Sequence, residues 1–120
     1  MIAAHITIVL VVTGLLTMGG AIVFVMPSSM LKLLFGVSAP DEVTRLVARH
    51  WGLLVAFIGA LLVYAGYLPE LRVPVMAVAA VEKLVIAGLV LGSPLRHRRL
   101  AVIIVAGDAA MAILYLTALL

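Results

Sequence analysis

The chain contains no cysteine. That absence excludes disulfides, thiolate nucleophiles and cysteine-ligated zinc or iron–sulfur sites. Charge is scarce too: 11% of the 120 residues are Asp, Glu, Lys or Arg, against about 25% in an ordinary soluble domain. Aromatic residues make up 6%, with a single tryptophan, and no basic face interleaves with them, so nucleic acid is not an expected partner. No GxGxxG, Walker, HExxH or nucleophile-elbow pattern is present, and no cofactor or metal is implied.

What is there is oil. Hydrophobic residues fill 67% of the chain, in four stretches each long enough to cross a bilayer, which takes about 20 apolar residues. We expect an all-α polytopic four-helix bundle occupying residues 1–120 as one integral membrane domain, with helices over about 2–26, 41–67, 71–91 and 94–120. The first stretch has no Lys or Arg before it and is longer than a secretory h-region, so it reads as a retained helix. Pro27 ends or bends it, and residues 27–36 are too short to span. They read as an interfacial half-helix or an irregular surface segment.

Local signals set the helix ends. Ser38 with Asp41 three residues later resembles a capping box, and Asp41 and Glu42 suit a positive helix end. Tyr64 and Tyr67 fit an interfacial belt. Pro74 is tolerated in a first turn, and Gly92-Ser93-Pro94 reads as a C-cap, an N-cap and a first helical position. Lys32, Arg45, Arg49, Arg96, Arg98 and Arg99 fall at or just inside the two odd-numbered turns, against Arg72 at the opposite one. This bias predicts cytoplasmic odd turns and both termini outside, in a plasma or bacterial inner membrane.

Against that background, Arg49, Glu82, Lys83 and Asp108 are conspicuous. An ion at the centre of a membrane helix costs roughly 2.5–3.5 kcal/mol on insertion scales, and such residues mark a site or a pairing network. Counted inward from the expected cytoplasmic ends, Arg49, Glu82 and Asp108 lie about 12–14 Å deep, with Lys83 one residue further. On helix two, Arg45, Arg49, Gly52, Ala56 and Gly59 form one stripe that should face the bundle. Thr13, Thr17 and Gly20 share a face of helix one, and Thr17 reaches the charge layer. Asp108 is flanked by Gly107 and alanines.

Arg49 is the expected partner of both Glu82 and Asp108, because a guanidinium can fork two carboxylates. Lys83 then contacts Asp108 from the side or snorkels. Such a cluster is either a structural ion network or a ligand site. The candidate ligand-binding residues are Arg49, Glu82, Asp108, Lys83, His50 and Thr17; the candidate acid–base residues are Glu82, Asp108 and His50. Trp51 is expected to face lipid or to pack between helices, with stacking on a ligand as the alternative. His5 reads as interfacial, and His97 as part of a solvated basic turn.

Four short helices with Arg49-His50-Trp51-Gly52 early in the second, and Glu82 and Asp108 in the last two, resemble small four-helix bacterial membrane proteins of the DoxX-like type. The resemblance implies a membrane subunit of a redox system or a sterol-isomerase-like bundle that binds lipophiles. Small multidrug exporters share the helix count but carry their essential glutamate in helix one, where this chain has no acid. The vitamin K reductase bundles need cysteines.

Three functions follow as expectations. The first is a small homo-oligomeric membrane protein or complex subunit whose polar core holds a quinone, sterol-like compound or lipid. The second is a proton-coupled transporter working as an oligomer. The third is a membrane enzyme, an isomerase or epoxide-opening hydrolase, acting on an apolar substrate.

Overall fold

A computed structural model describes residues 5–120. The bundle is all-α, and four of its helical spans are long and apolar enough to cross a membrane: Ile6–Val25, Glu42–Tyr67, Pro69–Leu91 and Arg99–Leu119. No more than a third of the apolar core of each span is buried inside the bundle. Ile8, Val12, Leu16, Leu46, Phe57, Leu89 and Ile103 all stand on that outer surface. An apolar exterior of this extent belongs in lipid, and the chain is a membrane protein.

The first span is less regular than the sequence suggests. It consists of α1 (Ile6–Thr17), a 3-10 turn at Met18–Gly20 and α2 (Ala21–Val25). The adjacent glycines Gly19 and Gly20 carry the tightened turn; glycine is a weak helix former. Met26 leaves the helical conformation before Pro27 (φ −129, ψ 63), and Pro27 opens α3 (Pro27–Phe35) as its first residue. The half-helix therefore forms, with Leu31 and Leu34 buried. It ends where Gly36 turns left-handed at φ 75, donating to the Lys32 carbonyl at 3.0 Å. That conformation suits glycine.

The second span is α4 (Glu42–Tyr67), capped by Asp41, whose carboxylate accepts from the Thr44 amide at 2.7 Å. Asp41 alone supplies this N-terminal cap, in place of the Ser38–Asp41 box expected from the sequence. A 3-10 turn at Pro69–Leu71 leads into α5 (Arg72–Leu91). Arg72 reaches back across it, donating to the Ala65 carbonyl at 3.1 Å, the Gly66 carbonyl at 2.8 Å and the Thr7 hydroxyl at 3.2 Å. A cation on the last carbonyls of α4 complements that helix end.

Helix α6 (Arg99–Leu119) begins five residues later than the expected Pro94. Pro94–His97 forms a 3-10 turn instead, with Ser93 accepting from the Leu95 amide at 3.2 Å. From the end of this turn Arg98 donates to the Leu33 carbonyl at 3.3 Å and ties down the C-terminal end of α3.

The bundle is two tight pairs. α1 and α2 pack along α4, and α5 packs along α6, while α4 and α5 meet less extensively. Glycine makes the first pair possible. A Cβ on Gly59 would lie 2.5 Å from the Gly14 carbonyl oxygen, and one on Gly52 would lie 2.5 Å from that of Gly20. Gly52, Ala56 and Gly59 are buried as the stripe predicts. Lipid tails give no hydrophobic drive between helices, so this close backbone contact supplies the association. The looser α4–α5 seam leaves space as well.

Candidate functional site

The two tight pairs meet across a polar ladder. The Lys83 ammonium, on α5, is 1% exposed and lies 3.0 Å from Asp108 Oδ1 on α6. It also donates to the Thr17 hydroxyl on α1 at 2.8 Å. Thr17 in turn donates to the Thr13 carbonyl at 2.8 Å. One turn along, the Thr13 hydroxyl donates to the Val9 carbonyl at 2.6 Å and accepts from the Tyr115 hydroxyl at 2.6 Å. Thr13, Thr17, Lys83 and Tyr115 are all buried. The two threonines sit four residues apart on one helical face, which lets each satisfy its own helix while presenting an oxygen inward. In a medium without water, such a ladder fixes the register of α1, α5 and α6.

The expected pairing of Arg49 with Glu82 and Asp108 does not form. Arg49 is exposed, and its guanidinium lies 4.8 Å from the centre of the Phe24 ring on α2. The reason is the glycine stripe itself. It faces the bundle, but it is pressed so closely against α1 and α2 that no guanidinium fits between them. Arg49 therefore emerges at the rim of that contact and takes the aromatic face instead. The carboxylates stand on α5 and α6, on the other side of the bundle's tight seam.

Lys83 takes the central place instead, in the side-on contact with Asp108. The Lys83–Asp108 pair is the one salt bridge among the described residues. His50 does not join it either. It is exposed and shares an open hollow with Arg49, Phe24 and Leu53. No group of three His, Asp or Glu side chains gathers as a metal site among the described residues.

Glu82 is the unsettled member. Its Oε1 is buried and has no hydrogen-bond partner. Adjacent helical residues diverge by about 100°, so Glu82 cannot share the inward direction of Lys83. It points instead along the face of Ile86, four residues on.

Ile86 lines two neighbouring spaces. A small cavity of about 30 Å³ lies among Leu34, Phe35, Trp51, Ile86, Val105 and Asp108. That is the size of one water molecule or a slender head group. A wider groove of about 420 Å³ shares Phe35, Trp51 and Ile86 with it and is also lined by Val47, Thr44 and Val43 near the start of α4. Trp51 and Phe35 stand over the junction with ring centroids 6.3 Å apart. Both are apolar spaces beneath α3, bordered by α4 and α5, and Asp108 on α6 is among the residues that line the smaller one. Trp51 thus packs between helices, one of the two structural placements expected for it.

Sequence reasoning missed Tyr115 and the part played by Phe35. Tyr115 had a signal: it follows Asp108 by seven residues and so shares its face of α6. Phe35 had none, because its role depends on where α3 folds back.

Comparison of the chain with protein-family models, curated proteins and solved structures finds no match.

Proposed function

We infer that this protein is a small integral membrane protein, or a subunit of a membrane complex, that binds a lipophilic small molecule along the α4–α5 seam. Its apolar body lies in the groove beside Trp51 and Ile86, and its polar end meets Asp108, held in place by Lys83 and Thr17. One observation carries the reading: an apolar cavity and groove that share Phe35, Trp51 and Ile86, with the ion-paired Asp108 among the cavity's lining residues. Ligand sites have this composition, mostly apolar walls with a few convergent polar groups. A quinone, a sterol-like compound or a lipid has the matching form, in keeping with the DoxX-like layout.

The two alternatives fare differently. An isomerase or epoxide hydrolase needs an acid and a base on one substrate, and His50 lies on a different face from Asp108. A proton-coupled transporter has one supporting observation, the unpartnered buried oxygen of Glu82. We place the chain in a bacterial inner membrane with its basic turns in the cytoplasm and both termini outside. The gathering of Lys32, Arg45, Arg96, Arg98 and Arg99 at one end of the bundle supports that orientation.

The test is native mass spectrometry of the protein released gently from its membrane. The reading predicts a retained lipophile, lost in Ile86→Trp, which fills the groove without touching the polar ladder. Equal retention by the Ile86→Trp variant contradicts it.

A further inference from the structure

We propose that the hollow at Arg49 and His50 binds one anionic phospholipid of the surrounding bilayer, its phosphate on the Arg49 guanidinium and the His50 ring, its acyl chain against the apolar wall. The site is separate from the groove beneath α3 and shares only Val47 with it.

Arg49 is a cation inside a membrane span with no counterion among the described residues, where the Lys83–Asp108 pair is the one salt bridge. Arg45, Arg72, Arg96 and Arg98 donate to backbone carbonyls. Arg49 has instead the Phe24 ring, 4.8 Å from its guanidinium carbon. A ring covers one face of a guanidinium and leaves its N–H edge free. Phe24 is the last residue but one of the span Ile6–Val25, whose 20 residues match a hydrocarbon core about 30 Å thick. The guanidinium therefore stands level with the end of that core, within reach of the phosphates of the adjoining leaflet.

The hollow has the matching form. It measures about 490 Å³, and Phe24, Leu46, Val47 and Leu53 line it together with Arg49 and His50. Leu46, Val47, Arg49 and His50 are exposed, so it opens to lipid rather than into the bundle. A guanidinium fork fits two phosphate oxygens, and an imidazole N–H adds a further donor. No acid lines the hollow, so a cationic amphiphile gains nothing there. A second copy of the chain brings no matching acid: Asp41, Glu42 and Glu70 stand at helix ends, and Glu82 and Asp108 are half-buried in the bundle. Lys32, Arg45, Arg96, Arg98 and Arg99 gather at the same end of the molecule, and basic residues beside a membrane attract anionic lipid.

The test is native mass spectrometry of the delipidated protein in detergent, titrated with dioleoyl phosphatidylglycerol and with dioleoyl phosphatidylcholine. The two lipids share their chains and their phosphate, but choline carries its own cation. The first phosphatidylglycerol should bind at about fivefold or more lower concentration than the first phosphatidylcholine. Arg49→Gln should bring that ratio close to one. Arg96→Gln, which removes a cation from the same end but not from the hollow, should keep it. Ile86→Trp, which fills the groove, should keep it as well. Free glycerol 3-phosphate at the lipid's concentration should displace nothing, because it lacks the chain.

Equal binding of the two lipids, a preference that survives Arg49→Gln, or one lost equally in Arg96→Gln overturns the proposal. Loss in Ile86→Trp would place the lipid in the groove instead, and displacement by glycerol 3-phosphate would make the site one for a free phosphate. None of these outcomes removes the groove reading, which stands on its own residues.

Discussion

Lys83 and Asp108 stand 3.0 Å apart on neighbouring antiparallel helices, and the lysine of the pair is almost wholly enclosed. Thr17 completes the ammonium's surroundings from a third helix. The pair thus links the α5–α6 unit to α1, as the Tyr115–Thr13 hydrogen bond does one turn along. Its strength lies in the penalty for breaking it unevenly.

Lys83→Met leaves Asp108 without its counterion. Removing one partner of a buried ion pair costs on the order of 3–5 kcal/mol, whereas replacing both by apolar residues is often neutral. Thermal unfolding in detergent should therefore show a large loss for Lys83→Met and a recovery of most of it in Lys83→Met combined with Asp108→Leu. A double variant as unstable as the single one would contradict the pairing.

Glycine positions divide into two kinds. Gly59→Ala forces a Cβ to within 2.5 Å of the Gly14 carbonyl and the Met18 amide, so α1 must move away from α4. A loss of about 1–3 kcal/mol is expected. Gly88 and Gly107, with nothing within 4 Å of an added Cβ, should tolerate alanine with a gain of roughly 0.5–1 kcal/mol. The comparison is made by unfolding the three variants side by side.

Arg49→Ala tests the corrected position of that residue. Losing a cation–π contact at an exposed site costs about 0.5–1 kcal/mol, and the Lys83 ladder is untouched. The variant should keep its native stability to that extent and keep the groove's ligand. A collapse comparable to that of Lys83→Met would mean that Arg49 does sit among the carboxylates.

Asp41 supplies a pH-dependent end to α4. Hydrogen bonds from Thr44 hold its carboxyl below the ordinary aspartate range. A folded-state value below the unfolded one means the cap contributes stability above the unfolded value and loses it as pH falls through the folded one. Amide exchange near Thr44 should accelerate under acid below the usual aspartate range. In Asp41→Asn the side chain still accepts, and that acid sensitivity should vanish.

Much of this was legible in the residues. The four spans follow from hydropathy runs, and the buried face of α4 follows from the spacing of Gly52, Ala56 and Gly59. The membership of Glu82, Lys83 and Asp108 in one layer followed from counting rise per residue. What the sequence could not give was which neighbour each face meets. The small-residue stripe predicts close contact, but the same closeness excludes Arg49, and only the helix arrangement shows that α1 and α2 occupy that side. Helix ends moved where local geometry overrode pattern, as at Pro94, where a 3-10 turn delays α6 to Arg99. The groove depends on the fold-back of α3 and on looser α4–α5 packing, neither of which has a local sequence mark.

The most direct test of the central claim is photo-crosslinking with a membrane-soluble diazirine lipophile, followed by peptide mapping of the labelled sites. Labelling concentrated on Phe35, Trp51, Ile86 and Val105, competed by excess unlabelled lipophile and reduced in Ile86→Trp, is the predicted result. Labelling spread over the outward-facing Ile8, Val12 and Leu16, with the groove residues unmarked, would contradict it.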